Sequence, residues 1–268
     1  DIMSDGTRLA SRVRIGQVDP NVFASLFFLP LAFTASISFS KTHLSLRLIS
    51  SVIFLILFAA VLLTFSRSSW VSLIFMVIVL AFLYRQYNLF LTGFVFFGLL
   101  LLLFPELRFI FISIASRFLG LFTGSVDTSN FIRILLVHAA LGMFFNSWLI
   151  GVGWRGFPDH IFNYFSYQQT MGVYEPHNVV YLVFAELGLV GLLLFCYIVF
   201  KIFHLAWQNI HLSHGVEQKA LAHALFGAFL AYAIFYQFIG SGFLDNQLWI
   251  TTGLILALNF SLKKNHDN

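Results

Sequence analysis

The chain has 268 residues, of which 59% are hydrophobic and 18% aromatic, with 35 Phe, while only 10% are charged. A soluble domain carries roughly 25% charged residues, so this balance, with a mean hydropathy of +0.89, excludes an ordinary soluble globular protein. The apolar residues fall in blocks long enough to cross a bilayer and no low-complexity tract interrupts them, which excludes a disordered or fibrous chain and points to an integral membrane protein. The one cysteine, Cys196, lies inside an apolar block, so no intrachain disulfide, redox pair or cysteine-rich metal site can form.

In chain order, the first twenty residues are mostly polar and begin at Asp1 without Met or a signal-peptide pattern. We read residues 1–268 as one membrane domain, the C-terminal part of a longer membrane protein. Apolar runs at 21–40, 46–65, 69–84, 88–104, 178–200, 220–240 and 247–262 give an all-α, polytopic transmembrane bundle of about seven spans. Between the fourth and fifth runs lies one large loop, 105–177, of mixed character. Its segments Leu107–Phe122 and Thr128–Phe145 have helical apolar spacing with polar interruptions, which predicts helices lying at the membrane surface or dipping partly into it.

Placing the large loop outside puts Lys41, Lys201, Lys219, Lys263 and Lys264 inside, joined by Arg47 and Arg85. Outside stand Arg8, Arg12, Arg14, Arg67, Arg108, Arg117, Arg133 and Arg155. The count of positive charges barely selects an orientation, but the residue type is informative. Arginine presents a planar, permanently charged fork that matches phosphate oxygens, so an Arg-rich outer face suggests an anionic, phosphate-bearing ligand, the alternative being anchorage to lipid headgroups.

Arg67 sits in Thr64-Phe65-Ser66-Arg67-Ser68-Ser69-Trp70, between two apolar runs that leave almost no loop. A charge there needs water or a partner: it is either a phosphate contact or an arginine snorkelling beside Trp70. Arg133, in an amphipathic stretch, is a second phosphate contact or the ion-pair partner of Asp127. Gly151-Val152-Gly153-Trp154-Arg155-Gly156 matches GxGxxG to the letter, yet the dinucleotide fingerprint requires a strand, turn and helix in a βαβ unit, and here Pro158 follows in a membrane-bounded loop. The glycines therefore serve a tight turn.

Asn178 is a good cap for the fifth span, which leaves His177 at the mouth of that helix. A neutral imidazole there accepts a proton from an attacking hydroxyl; an imidazolium balances a phosphate; a structural interfacial histidine is the alternative. Glu186 lies about 12 Å deeper at 1.5 Å per residue. It is a functional candidate because it is a carboxylate in a span, with a neutral Glu bonded to a neighbouring helix as the alternative. Gly188 and Gly191 are read as permitting close helix contact. His204, His211, His214 and His223 gather around the inside loop, but Gly215 interrupts the helix that a His211, His214 and Glu217 metal site would need. No metal site and no cofactor is expected.

Taken together, His177-Asn178, nine residues and Gly188-Leu189-Val190-Gly191 resemble the motif of the O-antigen ligase and O-antigen polymerase superfamily, bacterial membrane glycosyltransferases that act on polyprenyl-diphosphate-linked glycans. Asp19-Pro20-Asn21 at the start of a span, Ser66-Arg67 between two spans, and Arg133 ahead of Gly151-Val152-Gly153 and Phe157 follow in the family's order. Ser68 stands where the family usually has Gly, and Ser147-Trp148 where a Pro commonly precedes the turn.

The resemblance implies a periplasmic large loop, location in the bacterial inner membrane, and a glycan donor on undecaprenyl diphosphate. It gives Arg67 and Arg133 to the diphosphate, with Arg155 a third candidate after the turn, and His177 to the acceptor hydroxyl, in an inverting, metal-independent transfer. Asn178 and Glu186 support the site. The acceptor is lipid A-core for a ligase or the growing glycan for a polymerase; membrane lipids are partners and nucleic acid is not. A transporter or lipid flippase is the competing class. It requires charges buried along several spans and helices broken at mid-membrane, whereas here the arginines gather at one surface.

Overall fold

A computed structural model describes residues 19–86, 128–165, 175–239 and 246–267, with isolated positions between 98 and 112. Apart from those isolated positions, the expected span at 88–104 and the surface segment Leu107–Phe122 lie outside the described residues, as does Asp127. Among those described, the regular structure is entirely helical. They fall into two compact units, one within Asp1–Tyr84 and Leu193–Asn268, the other within Arg85–Leu192.

The first unit opens with Asp19, whose carboxylate accepts the N–H of Asn21 at 2.7 Å and caps α1 (Pro20–Ser25), with Pro20 in the first turn where its missing N–H costs nothing. After a turn at Leu26 and Phe27 the chain continues as α2 (Phe28–Phe39), then α3 (Leu44–Leu63) and α4 (Arg67–Leu83). α3 fully buries only Ser50 and Val61, and Leu48, Ile49, Val52, Leu55 and Ile56 stay exposed as an apolar face suited to lipid.

α4 instead turns Ser69, Leu73, Met76 and Leu80 inward at helical spacing. It packs with α2 on α8 (Val216–Phe235), whose buried Ala220, Ala224, Ala228 and Ala231 let neighbouring helices approach closely. Large rings fill the remainder: Phe28 meets Tyr232 and Phe235 at 5.3 and 5.2 Å between ring centroids. Tyr232 donates its hydroxyl to the Ser25 carbonyl, and Ser36 donates to the Ala220 carbonyl while accepting from the Tyr84 hydroxyl.

The same unit takes in the C-terminal part of α7 (Val179–Leu212) and α9 (Asn246–Asp267). Buried Asn209 on α7 donates to the Ile255 carbonyl of α9 at 2.9 Å and accepts from buried Asn259 at 2.8 Å.

In the second unit, α5 (Thr128–Asn146) confirms the helix expected at 128–145. It buries Ile132, Leu136, Ala139, Ala140 and Met143 against Phe157 and Ile161, which belong to α6 (Phe157–His160) and the 3-10 turn after it, and against Leu182 and Ala185 at the start of α7.

Pro20–Phe39, Leu44–Leu63, Val179–Leu212 and Val216–Phe235 are long and apolar enough to cross a membrane. α4 has 17 residues, and α9, although longer, is diluted by Gln247, Asn259 and the Lys263-Lys264 pair. The sixth apolar run, expected at 220–240, begins earlier, because Gly215 caps the helix, and ends at Phe235. The fifth runs on to Leu212, well past the expected end at 200, because residues 201–212 stay helical by packing Ile202, Ala206 and Asn209 inward.

Candidate functional site

The six residues singled out from the sequence divide between the units: Arg67 belongs to the first, and Arg133, Arg155, His177, Asn178 and Glu186 to the second. Arg67 is the first residue of α4. Ser66 before it is the cap, accepting from the Ser69 N–H and sharing a 2.7 Å hydrogen bond with the Ser69 hydroxyl. Phe65 adopts φ 54°, the left-handed turn that joins α3 to α4 with so little loop. Trp70 is buried and donates its indole N–H to the Val61 carbonyl, so it packs inside the unit as well as standing near Arg67.

Arg133 lies half-buried on α5 beside Ile132, at the flank of the face that meets Phe157 and Ile161. Asn178 caps α7 as expected, its Oδ1 accepting from Val180 at 2.8 Å and Tyr181 at 3.1 Å. His177, exposed, immediately precedes the cap.

The turn at 147–157 and α7 interlock through a break in the helix. Gly188 has φ 62° and ψ −159°, a backbone conformation that only glycine adopts readily, and the ladder of helical bonds fails there. In an unbroken helix the N–H groups of Leu189 and Val190 would bond the carbonyls of Ala185 and Glu186. Instead Leu189 donates to the Trp148 carbonyl at 2.8 Å and Val190 to that of Leu149 at 3.2 Å. The freed carbonyls of Ala185 and Glu186 accept from Val152 at 3.0 Å and Gly153 at 2.9 Å. The turn thus supplies partners for the two N–H groups and two carbonyls that the helix gave up.

This corrects the reading of Gly188 as a helix-contact residue: its missing side chain makes room for the Leu149 and Ile150 backbone, whose atoms would lie 2.6 Å from a Cβ. At Gly191 the nearest atoms to a Cβ would be those of Leu187 in its own helix. Gly151 has the reciprocal task, with φ 71° and the Glu186 carbonyl 2.3 Å from where its Cβ would stand.

Glu186 completes the lock. Its side chain is 5% exposed, and its two carboxylate oxygens accept from the backbone N–H groups of Arg155, at 2.9 Å, and Phe157, at 3.2 Å. The partner is therefore the glycine-rich turn and not a neighbouring helix. Between the two N–H groups, Gly156 is buried and bonds back to the Gly153 carbonyl at 2.9 Å, while His160 donates Nδ1–H to the Gly156 carbonyl at 2.8 Å. At the tip Arg155 is exposed and takes φ 58°, which costs a non-glycine residue about 1–2 kcal/mol. The sequence reading found the turn but had no means of pairing it with Glu186.

Around the loop between α7 and α8, His211 bonds the Trp207 carbonyl, and α7 ends at Leu212 before His214. Among the described residues, no three or more His, Cys, Asp or Glu side chains gather as a metal site would require.

With regular structure that is entirely helical among the described residues and four apolar helices of membrane-crossing length, the chain is a membrane protein. The family model of O-antigen ligase matches residues 52–196, more than half of the chain, and the protein belongs to that family. The family comprises glycosyltransferase-like ligases and polymerases, and its substrates are lipid-linked glycans. No curated protein matches the chain.

Proposed function

We propose that the protein is an inverting, metal-independent glycosyltransferase of the bacterial inner membrane, crossing it about seven times with the 105–177 loop periplasmic. It moves a glycan from undecaprenyl diphosphate to a lipid A-core acceptor at the periplasmic face. The observation that carries this reading is the family match at 52–196, because Arg67, Arg133, Arg155, His177, Asn178 and Glu186 all lie inside it.

An acceptor hydroxyl attacks the anomeric carbon opposite the diphosphate. As the new C–O bond forms, the bond from that carbon to the phosphate oxygen breaks and its electron pair leaves on undecaprenyl diphosphate. His177 takes the hydroxyl proton. Charge grows on the diphosphate during this step, so guanidinium groups of Arg67, Arg133 and Arg155 that contact it bind the transition state more tightly than the donor. Losing one such contact costs about 3 kcal/mol, a hundredfold or more in rate.

The placement of Glu186 supports an enzyme over a transporter: it is the one buried carboxylate among the described residues, and each of its oxygens holds a backbone N–H of the turn, which gives it a structural task there. The test is glycan transfer in membranes carrying Arg67→Ala or His177→Ala. Each variant should lose transfer at unchanged abundance, and normal transfer by both would refute the reading. Glycan on lipid A-core identifies a ligase; longer lipid-linked chains without it identify a polymerase.

A further inference from the structure

The turn 151–156 places Gly at 151, 153 and 156, and yet Arg stands at 155, where the backbone is left-handed and a glycine would rest without strain. Such outliers persist only where the surroundings over-determine them, and they gather where a side chain is needed at a set place. The surroundings here are specific. The N–H groups of Arg155 and Phe157 flank Gly156 and both end on the Glu186 carboxylate, and Phe157 is anchored in the core of its unit at 0% exposure. The carboxylate is held in turn, because Glu186 lies two residues before the break at Gly188 and its own carbonyl accepts from Gly153.

We propose that Glu186 is a positioning residue for glycan transfer: by gripping the backbone on both sides of Gly156, it keeps Arg155 in its left-handed conformation with the guanidinium presented to the donor diphosphate. This rests on the glycosyltransferase reading and adds to it a residue that never touches the donor. Glutamine is the discriminating replacement, because its amide has the same size but offers one acceptor oxygen, and its NH2 would confront the second N–H. Aspartate, one methylene shorter, cannot span both.

The experiment measures kcat and KM for the lipid-linked donor with full-length protein in membranes, for Glu186→Gln, Arg155→Ala and the double variant, with abundance followed by immunoblot. Arg155→Ala should lower kcat/KM about a hundredfold. Glu186→Gln should come within about threefold of that loss, and the double variant should be no worse than Arg155→Ala within the same factor, since a residue acting through Arg155 has nothing left to act on. A residue that served the fold alone would give losses that multiply, towards 10⁴-fold in the double variant.

Multiplying losses, or normal transfer by Glu186→Gln, would overturn the proposal. So would failure of both Glu186→Gln and Glu186→Asp to accumulate while Arg155→Ala accumulates, because Glu186 would then serve the fold. Arg67→Ala and His177→Ala in the same assay separate the two layers. If both lose transfer and Glu186→Gln keeps it, only the positioning role falls; if both keep it, the glycosyltransferase reading falls.

Discussion

Replacing Gly188 with Ala tests whether the helix break and the turn are one construction. A Cβ at this position would lie 2.6 Å from the Ile150 nitrogen and from the Leu149 carbonyl carbon and oxygen, all of them backbone atoms with no rotamer to yield. With φ 62° and ψ −159° the conformation itself costs an alanine about 1–3 kcal/mol. Moving the turn away sacrifices the Leu189–Trp148 and Val190–Leu149 hydrogen bonds, about 1 kcal/mol each. The total, about 3–5 kcal/mol, corresponds to a fall of about 10–15 °C in unfolding temperature for a protein of this size.

Two glycines calibrate the measurement. Gly153 has φ 102° with open space around it, so Gly153→Ala bears only the conformational cost. Gly253 lies in α9 with open space and an ordinary backbone, and Gly253→Ala should stabilise by about 0.5–1 kcal/mol. Thermal unfolding in one detergent should therefore rank Gly253→Ala above the parent, Gly153→Ala below it and Gly188→Ala lowest. A Gly188→Ala protein that melts within about 2 °C of the parent would refute the interlock, since that shift is worth under about 1 kcal/mol.

Three further outcomes follow from single contacts. Asn178→Ala removes the acceptor for the Val180 and Tyr181 N–H groups and should cost about 1 kcal/mol with a measurable fall in transfer, while Asn178→Asp, an equally good cap, should keep most of the stability in the same melting assay. Asn209→Ala leaves the Asn259 amide without its acceptor and removes the side-chain hydrogen bond to the Ile255 carbonyl, and should destabilise by about 1–3 kcal/mol, read as a lower melting temperature. Arg155→Gly should move two readouts in opposite directions: unfolding temperature rises as about 1 kcal/mol of left-handed strain is relieved, and glycan transfer falls; a rise in both would show that the side chain has no part in the reaction.

The helices were legible because a bilayer leaves an apolar run no other way to satisfy its backbone, so runs at 21–40 and 46–65 map onto Pro20–Phe39 and Leu44–Leu63 within two residues. The cap at Asn178 was legible for the same local reason, since it bonds N–H groups two and three residues ahead, and Gly215 stands where one helix has ended at Leu212 and the next begins at Val216. What escaped the sequence is what crosses it. Glu186 and Arg155 are 31 residues apart, and nothing in the spacing of either signals that one carboxylate takes up the N–H groups of the other's turn. A glycine inside an apolar run ordinarily reads as helix packing, so Gly188 gave no sign that the ladder breaks there. The order of Arg67, Arg133, Gly151-Val152-Gly153 and His177-Asn178 pointed to the family, but an order of motifs holds no distances, and it could not say which side chains a fold would join.

The four left-handed positions of the interlock separate shape from chemistry. At Gly151 and Gly188 a Cβ would strike backbone within 2.6 Å, so glycine is required by contact. At Gly153 the space is open and only the conformation calls for glycine. Position 155 shares that left-handed conformation and is exposed, but its N–H is bound to a buried carboxylate, so the chain can sustain a side chain there that it does not place at 153. The glycines are thus explained by packing and conformation, while an arginine at 155 adds strain that neither explains. A charged group held at a cost, on a turn secured by a buried carboxylate and a broken helix, is what a site for a polyanion requires: cations fixed before the charge develops, so that none of the reorganisation falls on the reaction itself.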